Sequence, residues 1–466
     1  MTNEVKPKIG LEIHGYLVTK EKLFCRCPTD YKDRKVNVNI CPICTGMPGS
    51  KPMNPNAEAL KKAIAIALML DCKLSDEALI WQRKHYDWPD LPKGYQDTTS
   101  GSYSIPVGKD GKLFGIRIRQ VHLEEDPARW DPETGNVDYN RCGMPLAEIV
   151  TEPDFKKSKE VREWLAKFLV TMSYIKTLDK DAGIKADVNI SVNVNGKQGE
   201  RVEIKNLNST YAIERAIDFE ILRQAEEMRK GSGSVKRETR TFSEKLKITI
   251  LMREKEQAED YRFIPDPDLP IMSIDKEMAD KIKKALPEAP AAKVKRFMKE
   301  YGITEYESGV LSSDMELADF FEKLLKLKIK PKLAASWVTI ELLRVLNWNN
   351  KTLSNVDINP EHFAELLSLL ESKEITELSA KKLLNRFIPN SFPPNKEIKK
   401  ISKISDRKDI EEICKKVMKE NKPAVNDYKA GQAKALFFLI GKVMETTNRR
   451  ADVNIVKEIL MLLIKI

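Results

Sequence analysis

The stretch "ADVNISVNV" at residues 186–194 alternates apolar and polar residues without a break. Side chains on a strand point to opposite faces in turn. Ala186, Val188, Ile190, Val192 and Val194 therefore share one face, and Asp187, Asn189, Ser191 and Asn193 the other. The first face suits a core. The second must meet water or line a cleft. A short turn, "NGKQGE", leads to "RVEIKNLNS" at 201–209, which reads as the hairpin partner and sets Glu203 and Lys205 on one face. "KIGLEIHGYL" at 8–17 repeats the pattern: Glu12 and His14 project together, opposite Ile9, Leu11 and Ile13. Such a pair is either a solvated polar face or a place to share a divalent cation or order a phosphate. Helices accompany the strands. "VREWLAKFLVTM" puts Val161, Trp164, Leu165, Phe168, Leu169 and Met172 on one core-facing stripe. The class is α+β.

Working outward, the chain has 466 residues, which implies several domains. From about residue 291 the pattern changes to helical spacing, as in "MELADFFEKLLKL" and "PEHFAELLSLLES", with start signals at Ser312-Ser313-Asp314 and Asn359-Pro360. A break at "FIPNSFPPNKEIKK" divides this half. The expected domains are 1–290, 291–395 and 396–466. "KGSGSVKRETRTF" at 230–242 reads as a flexible loop. At 41% hydrophobic and 32% charged, the composition is that of an ordinary soluble protein. No window reaches the roughly 18 apolar residues of a spanning helix, and the first residues show no signal peptide, so no membrane association and a cytoplasmic location are expected. Net charge is +10, and residues 391–466 hold 17 Lys+Arg against 10 Asp+Glu, which is +7 of it. A basic terminal region fits a polyanion partner or a lysine-rich solvated surface.

"LFCRCPTDYKDRKVNVNICPIC" at 23–44 holds Cys25, Cys27, Cys41 and Cys44 as two close pairs. In a reducing compartment this spacing favours four thiolates around one structural zinc in a knuckle at 23–46, with no open position for catalysis. Cys72, Cys142 and Cys414 read as small core residues. In "FGIRIRQVHLEEDPARW" the apolar phase slips at Gln120, which predicts a β-bulge and aligns Arg117, Arg119, His122 and Glu124. Glu124, Glu125 and Asp126 follow together. Carboxylates this dense need a cation or arginines, and hard oxygens beside an imidazole suit Mg²⁺ with an ATP phosphate. "RKHYDWPDLPKGYQ" at 83–96 reads as a bent loop carrying Lys84, His85, Tyr86, Asp90, Lys93 and Gln96. There is no P-loop, kinase glycine loop or nucleophile elbow.

Taken in order, "IGLEIH", "LFCRCP…NVNICPICTGMPG", "RKHYDWPDLPKGYQ", "HLEEDPAR", "DYNRCGMPLAEIVTEPD", "RVEIKNLNS", "ETRTF" and "DYRFIPDPDLP" resemble the B subunit of the tRNA-dependent glutamyl/aspartyl amidotransferase. "DYKAGQAKALFFLIGKVMETTNRRADVNIVKEIL" resembles the tail of that family, so nearly the whole chain is covered. The resemblance implies an antiparallel-sheet cradle, a helical domain and a helical tail that contacts tRNA. It implies ATP- and Mg²⁺-dependent phosphorylation of the carboxylate of misacylated Glu-tRNA(Gln) or Asp-tRNA(Asn). An amidase subunit would supply ammonia, and a small third subunit would bridge the two.

Carried onto this sequence, Glu12, His14, Glu124 and Glu125 take the catalytic and phosphate role, with Glu12, His14 and Glu125 on Mg²⁺. Lys84, His85, Lys93, Arg141, Glu148, Asp187, Asn189 and Lys205 take substrate, nucleotide or ammonia contacts. Arg407, Lys408, Lys415, Lys416, Arg449 and Arg450 are the tRNA contacts of the tail. The knuckle is expected to pin a hairpin near the strand of Glu12 and His14. The sequence departs from the family's pattern at Gly15-Tyr16, at Pro127 and at Lys185, where an arginine is expected. Two alternatives stand beside this reading. One is a paralogous Glu-tRNA(Gln)-only subunit, whose extra inserted domain has no room after "DYRFIPDPDLP". The other is a non-catalytic tRNA-binding scaffold.

Overall fold

Long alternating stretches, each with one apolar face, pair through their backbones into a single sheet. In a computed structural model, residues 4–86, 88–179, 184–230, 235–254, 262–397, 407–447 and 450–465 are described. The chain divides into two compact units, Met1–Ala289 and Pro290–Ile466. The first is α+β. Its strands are β1 (Val5–Tyr16), β2 (Lys73–Leu74), β3 (Gln82–His85), β4 (Tyr95–Thr98), β5 (Gly108–Leu113), β6 (Ile116–Glu125), β7 (Arg129–Trp130) and β8 (Val137–Asp138). They continue with β9 (Pro145–Thr151), β10 (Ile184–Val194), β11 (Lys197–Gln198), β12 (Val202–Leu207), β13 (Glu238–Ser243), β14 (Ile248–Glu254) and β15 (Arg262–Pro265). The main sheet runs β14-β13-β12-β10-β1-β9-β6-β4-β3-β15.

The expected hairpin is present: β10 and β12 pair antiparallel, Asn189 opposite Glu203. So is the bulge, as a register shift between Ile118 and Gln120 where β6 meets β9. The sheet is antiparallel along this path except at β12–β13, which are parallel because a helix crosses between them. The loop expected at 230–242 is thereby corrected. Residues 231–234 lie outside the described residues, but "ETRTFS" is β13. The loop expected at 83–96 is likewise a hairpin, because Lys84 and His85 on β3 pair with Gln96 and Tyr95 on β4.

Helices cover one face only. They are α1 (Ala57–Met69), α2 (Ser158–Ile175), α3 (Thr210–Arg229) and α4 (Lys276–Ala285), whose Met278 and Ile282 pack on the same core. Asn56 caps α1, its side chain accepting from the Glu58 and Ala59 amides at 2.9 and 3.3 Å. Val161, Trp164, Leu165, Phe168 and Met172 of α2 are buried in the same core as Ile9, Leu11, Ile13, Val188 and Ile190. Each such side chain contributes about 1.5–3 kcal/mol on leaving water. Leu169 is a correction: it is 38% exposed, at the margin of the stripe. With one face sealed by helices, the other carries the polar residues of β1, β6, β9 and β10.

The second unit is helical. Asp314 caps Met315–Lys326, accepting from the Glu316 amide at 2.8 Å, and Asn359 caps Pro360–Glu371. One core gathers residues from Phe297 to Phe387, and another residues from Ile410 to Ile464.

Candidate active site

The register of the sheet builds the site. His14 on β1 lies opposite Glu148 on β9 and Lys185 on β10, and Glu148 lies opposite His122 on β6. Glu12 lies opposite Asp187. These residues share a face because they share parity on their strands. The His14 imidazole Nε2 sits 3.6 Å from Glu12, 3.4 Å from Glu124 and 3.6 Å from Glu148. Lys205 pairs with Asp187 at 2.9 Å and with Glu203 at 2.7 Å. A cleft of about 350 Å³ opens beside this group, lined by Glu12 and Asn189 and by the cations Lys8, Lys84, Arg119, Arg201 and Lys205.

Crowded carboxylates under partial burial shift their protonation. Burial and the neighbouring Glu148 charge push Glu12 up to about 7. Burial and the same charge push Glu124 up to about 7. Burial would lower the His14 imidazole, but its contacts with Glu148, Glu124 and Glu12 hold it up, at about 10. Burial would raise Glu148, yet its contact with His14 brings it down to about 2. An imidazolium thus serves three carboxylates, which leaves negative charge in excess. The Glu124 Oε2 is buried and accepts no hydrogen bond. A buried carboxylate oxygen with no hydrogen bond, beside a convergent Glu12, His14 and Glu148, fits a divalent cation.

Glu125 is a correction. It follows Glu124 on a strand and so faces the other way. It pairs with Lys93, which also holds Asp97 at 2.7 Å, and it accepts the Asp97 amide at 2.9 Å. The residue that joins Glu12 and His14 is Glu148, on β9. Lys93 is buried in that second cluster, away from the cleft lining. His85, adjacent to Lys84, turns to the Tyr95 ring at 5.3 Å. Arg141 pairs with Asp126 at 2.5 Å, and Asp126 accepts from the Tyr16 hydroxyl at 2.7 Å. Lys8 and Arg201 lack any sequence motif of their own. Only their parity with Glu12 and Glu203 hints that they line the cleft.

The four knuckle sulfurs lie within 4.8 Å of one another, and all four cysteines are unlinked. The Cys41 and Cys44 sulfurs are 3.9 Å apart. Sulfurs about 2.3 Å from a shared tetrahedral zinc stand roughly 3.8 Å apart, so the cluster fits that metal. A hairpin follows β1 directly, with Glu21 bridged to Pro28. The knuckle packs toward Lys93 and Gly143, which is the side of Glu125 rather than of Glu12 and His14. In the second unit Arg407, Lys408, Lys415 and Lys416 are exposed. Arg407 pairs with Glu458 at 2.8 Å and Lys415 with Glu411 at 2.6 Å. Arg450 donates to the Thr447 carbonyl at 3.2 Å, and Arg449 lies outside the described residues. Among the described residues no helix is long and apolar enough to cross a membrane.

Comparison with known proteins places the chain in a family. The GatB/GatE catalytic domain family matches residues 7–280, and the GatB domain family matches residues 319–464. The chain is 45% identical over 457 residues to the B subunit of the aspartyl/glutamyl-tRNA(Asn/Gln) amidotransferase of Methanothermobacter thermautotrophicus, covering 97% of this chain and 99% of that one. It is 44% identical over 459 residues to the protein of the same name from Methanopyrus kandleri, covering 97% of each. The chain belongs to the family of B subunits of the aspartyl/glutamyl-tRNA(Asn/Gln) amidotransferases, and its role is that of an enzyme subunit in tRNA-dependent amide formation.

Proposed function

We propose that the chain uses ATP to phosphorylate the side-chain carboxylate of glutamate or aspartate esterified to the wrong tRNA, giving an acyl phosphate that ammonia converts to the amide. A carboxylate is a poor acyl donor because its oxide leaves badly, and phosphate is a far better leaving group. The observation that carries this reading is the meeting of Glu12, His14, Glu124 and Glu148 around one imidazole beside a cleft lined with lysines and arginines. Lys8, Lys84, Arg119, Arg201 and Lys205 supply the positive charge that a polyphosphate needs. Glu12, Glu148 and Glu124 would hold Mg²⁺, with the His14 imidazolium beside them and not on the ion, and Mg²⁺ when bound neutralises phosphate charge. His14 keeps a proton among the three carboxylates and orients them. The four cysteines would hold a structural zinc.

Ammonia would come from glutamine through a partner amidase subunit, with a small third subunit joining the two, all in the cytoplasm. The second unit divides in function at about residue 395. Its basic tail, with Lys408, Lys415, Lys416 and Arg450, neutralises tRNA phosphates, adding affinity more than sequence discrimination. The test is phosphate release from ATP by the reconstituted complex with Mg²⁺, with and without Glu-tRNA(Gln) or Asp-tRNA(Asn). Release that depends on the aminoacylated tRNA, and is lost in Glu124→Gln, supports the reading. A complex that binds tRNA and never consumes ATP makes the chain a scaffold instead.

A further inference from the structure

Lys22 is only 1% exposed, one of the most buried large side chains in the chain. A buried ammonium is costly unless a negative charge faces it. Among the described residues no carboxylate lies within ion-pair distance of it. Its Nζ instead donates to the Asn39 carbonyl at 2.8 Å and the Tyr139 carbonyl at 3.4 Å, and it stands 3.6 Å from the Cys44 sulfur. Two carbonyls solvate the ammonium without neutralising it. Among the described residues, the atom in reach that can carry a full negative charge is Cys44 Sγ.

The four-cysteine centre has the opposite problem. Four thiolates on one divalent ion carry two net negative charges. Cys25 and Cys44 are buried, so water does little to offset them. One backbone donor helps, the Cys41 amide at 3.3 Å from Cys44 Sγ. We infer that Lys22 is the buried counter-ion of the thiolate centre, a positioning residue whose ammonium offsets part of the negative charge that four thiolates bring to one divalent ion. This rests on reading the four cysteines as a metal site. The same lysine ties the knuckle to the Glu125 side of the sheet. A Cβ on Gly143 would stand 3.6 Å from Cys44 Cβ, 3.7 Å from Lys22 Cδ and 3.8 Å from Glu125 Oε2. Tyr139, whose carbonyl takes the ammonium, begins the turn that carries Arg141.

The consequence is a loss of metal affinity that a merely space-filling lysine does not produce. Lys22→Met keeps the volume and removes the charge. With zinc bound, the thiolate centre loses its counter-ion. The experiment uses the full-length chain, with zinc affinity read by competition against a chromophoric chelator and melting read in zinc-loaded and chelator-stripped states. Lys22→Met is expected to bind zinc about 10–100-fold more weakly, the range for outer-shell partners of metal ligands. Zinc is expected to raise its melting temperature by less than it raises that of the wild type. If Lys22→Met does not accumulate, Lys22→Gln decides on the same two readouts, since its amide still donates to a carbonyl but carries no charge. Zinc affinity equal to wild type in the neutral variant, or stripped and loaded forms that both melt lower by the same amount, overturns the assignment of Lys22. A wild-type chain that takes up no zinc at all overturns the metal site itself.

Discussion

Glu124 and Glu125 are neighbours in sequence and strangers in space, so removing each charge should change stability in opposite directions. Glu124 sits among Glu12, Glu148 and His14, with its carboxyl pushed up from 4.5 to about 7 by burial and by Glu148. A shift of that size corresponds to a cost of at most about 3 kcal/mol for holding the charge above pH 7. Because the folded-state value is raised, the cost is absent near pH 4.5 and grows as pH rises toward 7. Glu124→Gln should therefore raise the melting temperature in magnesium-free buffer at pH 8, and the gain should nearly vanish at pH 5. Glu125 is different. It neutralises the buried Lys93, which would keep only Asp97. Breaking a buried pair costs about 3–5 kcal/mol, and the remaining Asp97 brings the expectation to roughly 2–3 kcal/mol. At about 2–4 °C per kcal/mol for a domain of this size, Glu125→Gln should melt some 5–10 °C lower. Scanning calorimetry of the two single variants gives both signs. A Glu124→Gln that melts well below wild type at pH 8, with a neutral Glu125→Gln, would refute the assignment of the two carboxylates to opposite faces.

Three further outcomes are expected. Glu12 and Glu124 both hold protons below about pH 7, and a cation needs them bare, so Mg²⁺ affinity should rise roughly tenfold per pH unit per released proton up to pH 7 and then level off. Titration calorimetry in two buffers of different ionisation enthalpy reads the proton release, and a pH-independent affinity contradicts it. Gly46→Ala should destabilise by about 1–3 kcal/mol, measured by denaturant unfolding. Its φ is +63°, and a Cβ there would press on Lys93 Cγ at 2.8 Å and the Pro92 carbonyl at 3.0 Å. Reversing Lys415 and Lys416 to glutamate should weaken tRNA binding and flatten its salt dependence, with ATP turnover at saturating tRNA little changed. Unchanged salt dependence removes those two lysines from the contact.

What the sequence makes legible depends on whether the signal is local. Alternation marks the β10–β12 hairpin and the shared face of Glu12 and His14. The phase slip at Gln120 marks the bulge, because a bulge is a one-residue event. Asp314 and Asn359 announce helix starts through their own side chains. Glu148 is another matter. The family resemblance puts it among the substrate contacts, but nothing near "PLAEIVT" says that β9 will lie beside β1 and bring it to His14. Glu125 is misplaced for a different reason. Adjacent strand residues point apart, which alone separates it from Glu124, but the density of "EED" suggests a single cluster. β13 is hidden by its polar text, for "ETRTFS" has little apolar alternation and is placed by the crossover from β12.

The bulge in β6 has a genetic consequence. Within a strand, losing one codon inverts every side chain beyond the loss. Between Ile118 and Gln120, however, β6 already carries one residue more than β9 opposite it. A deletion there would straighten the strand and leave Val121 opposite Ile149, His122 opposite Glu148 and Glu124 opposite Leu146. A deletion three residues later would turn Glu125 into the cleft and Glu124 into the core. Toward β9 the strand thus absorbs a missing residue just upstream of the carboxylates that cannot be moved, while toward β5, whose register runs evenly past Ile118 and Gln120, the same deletion would shift the pairing by one.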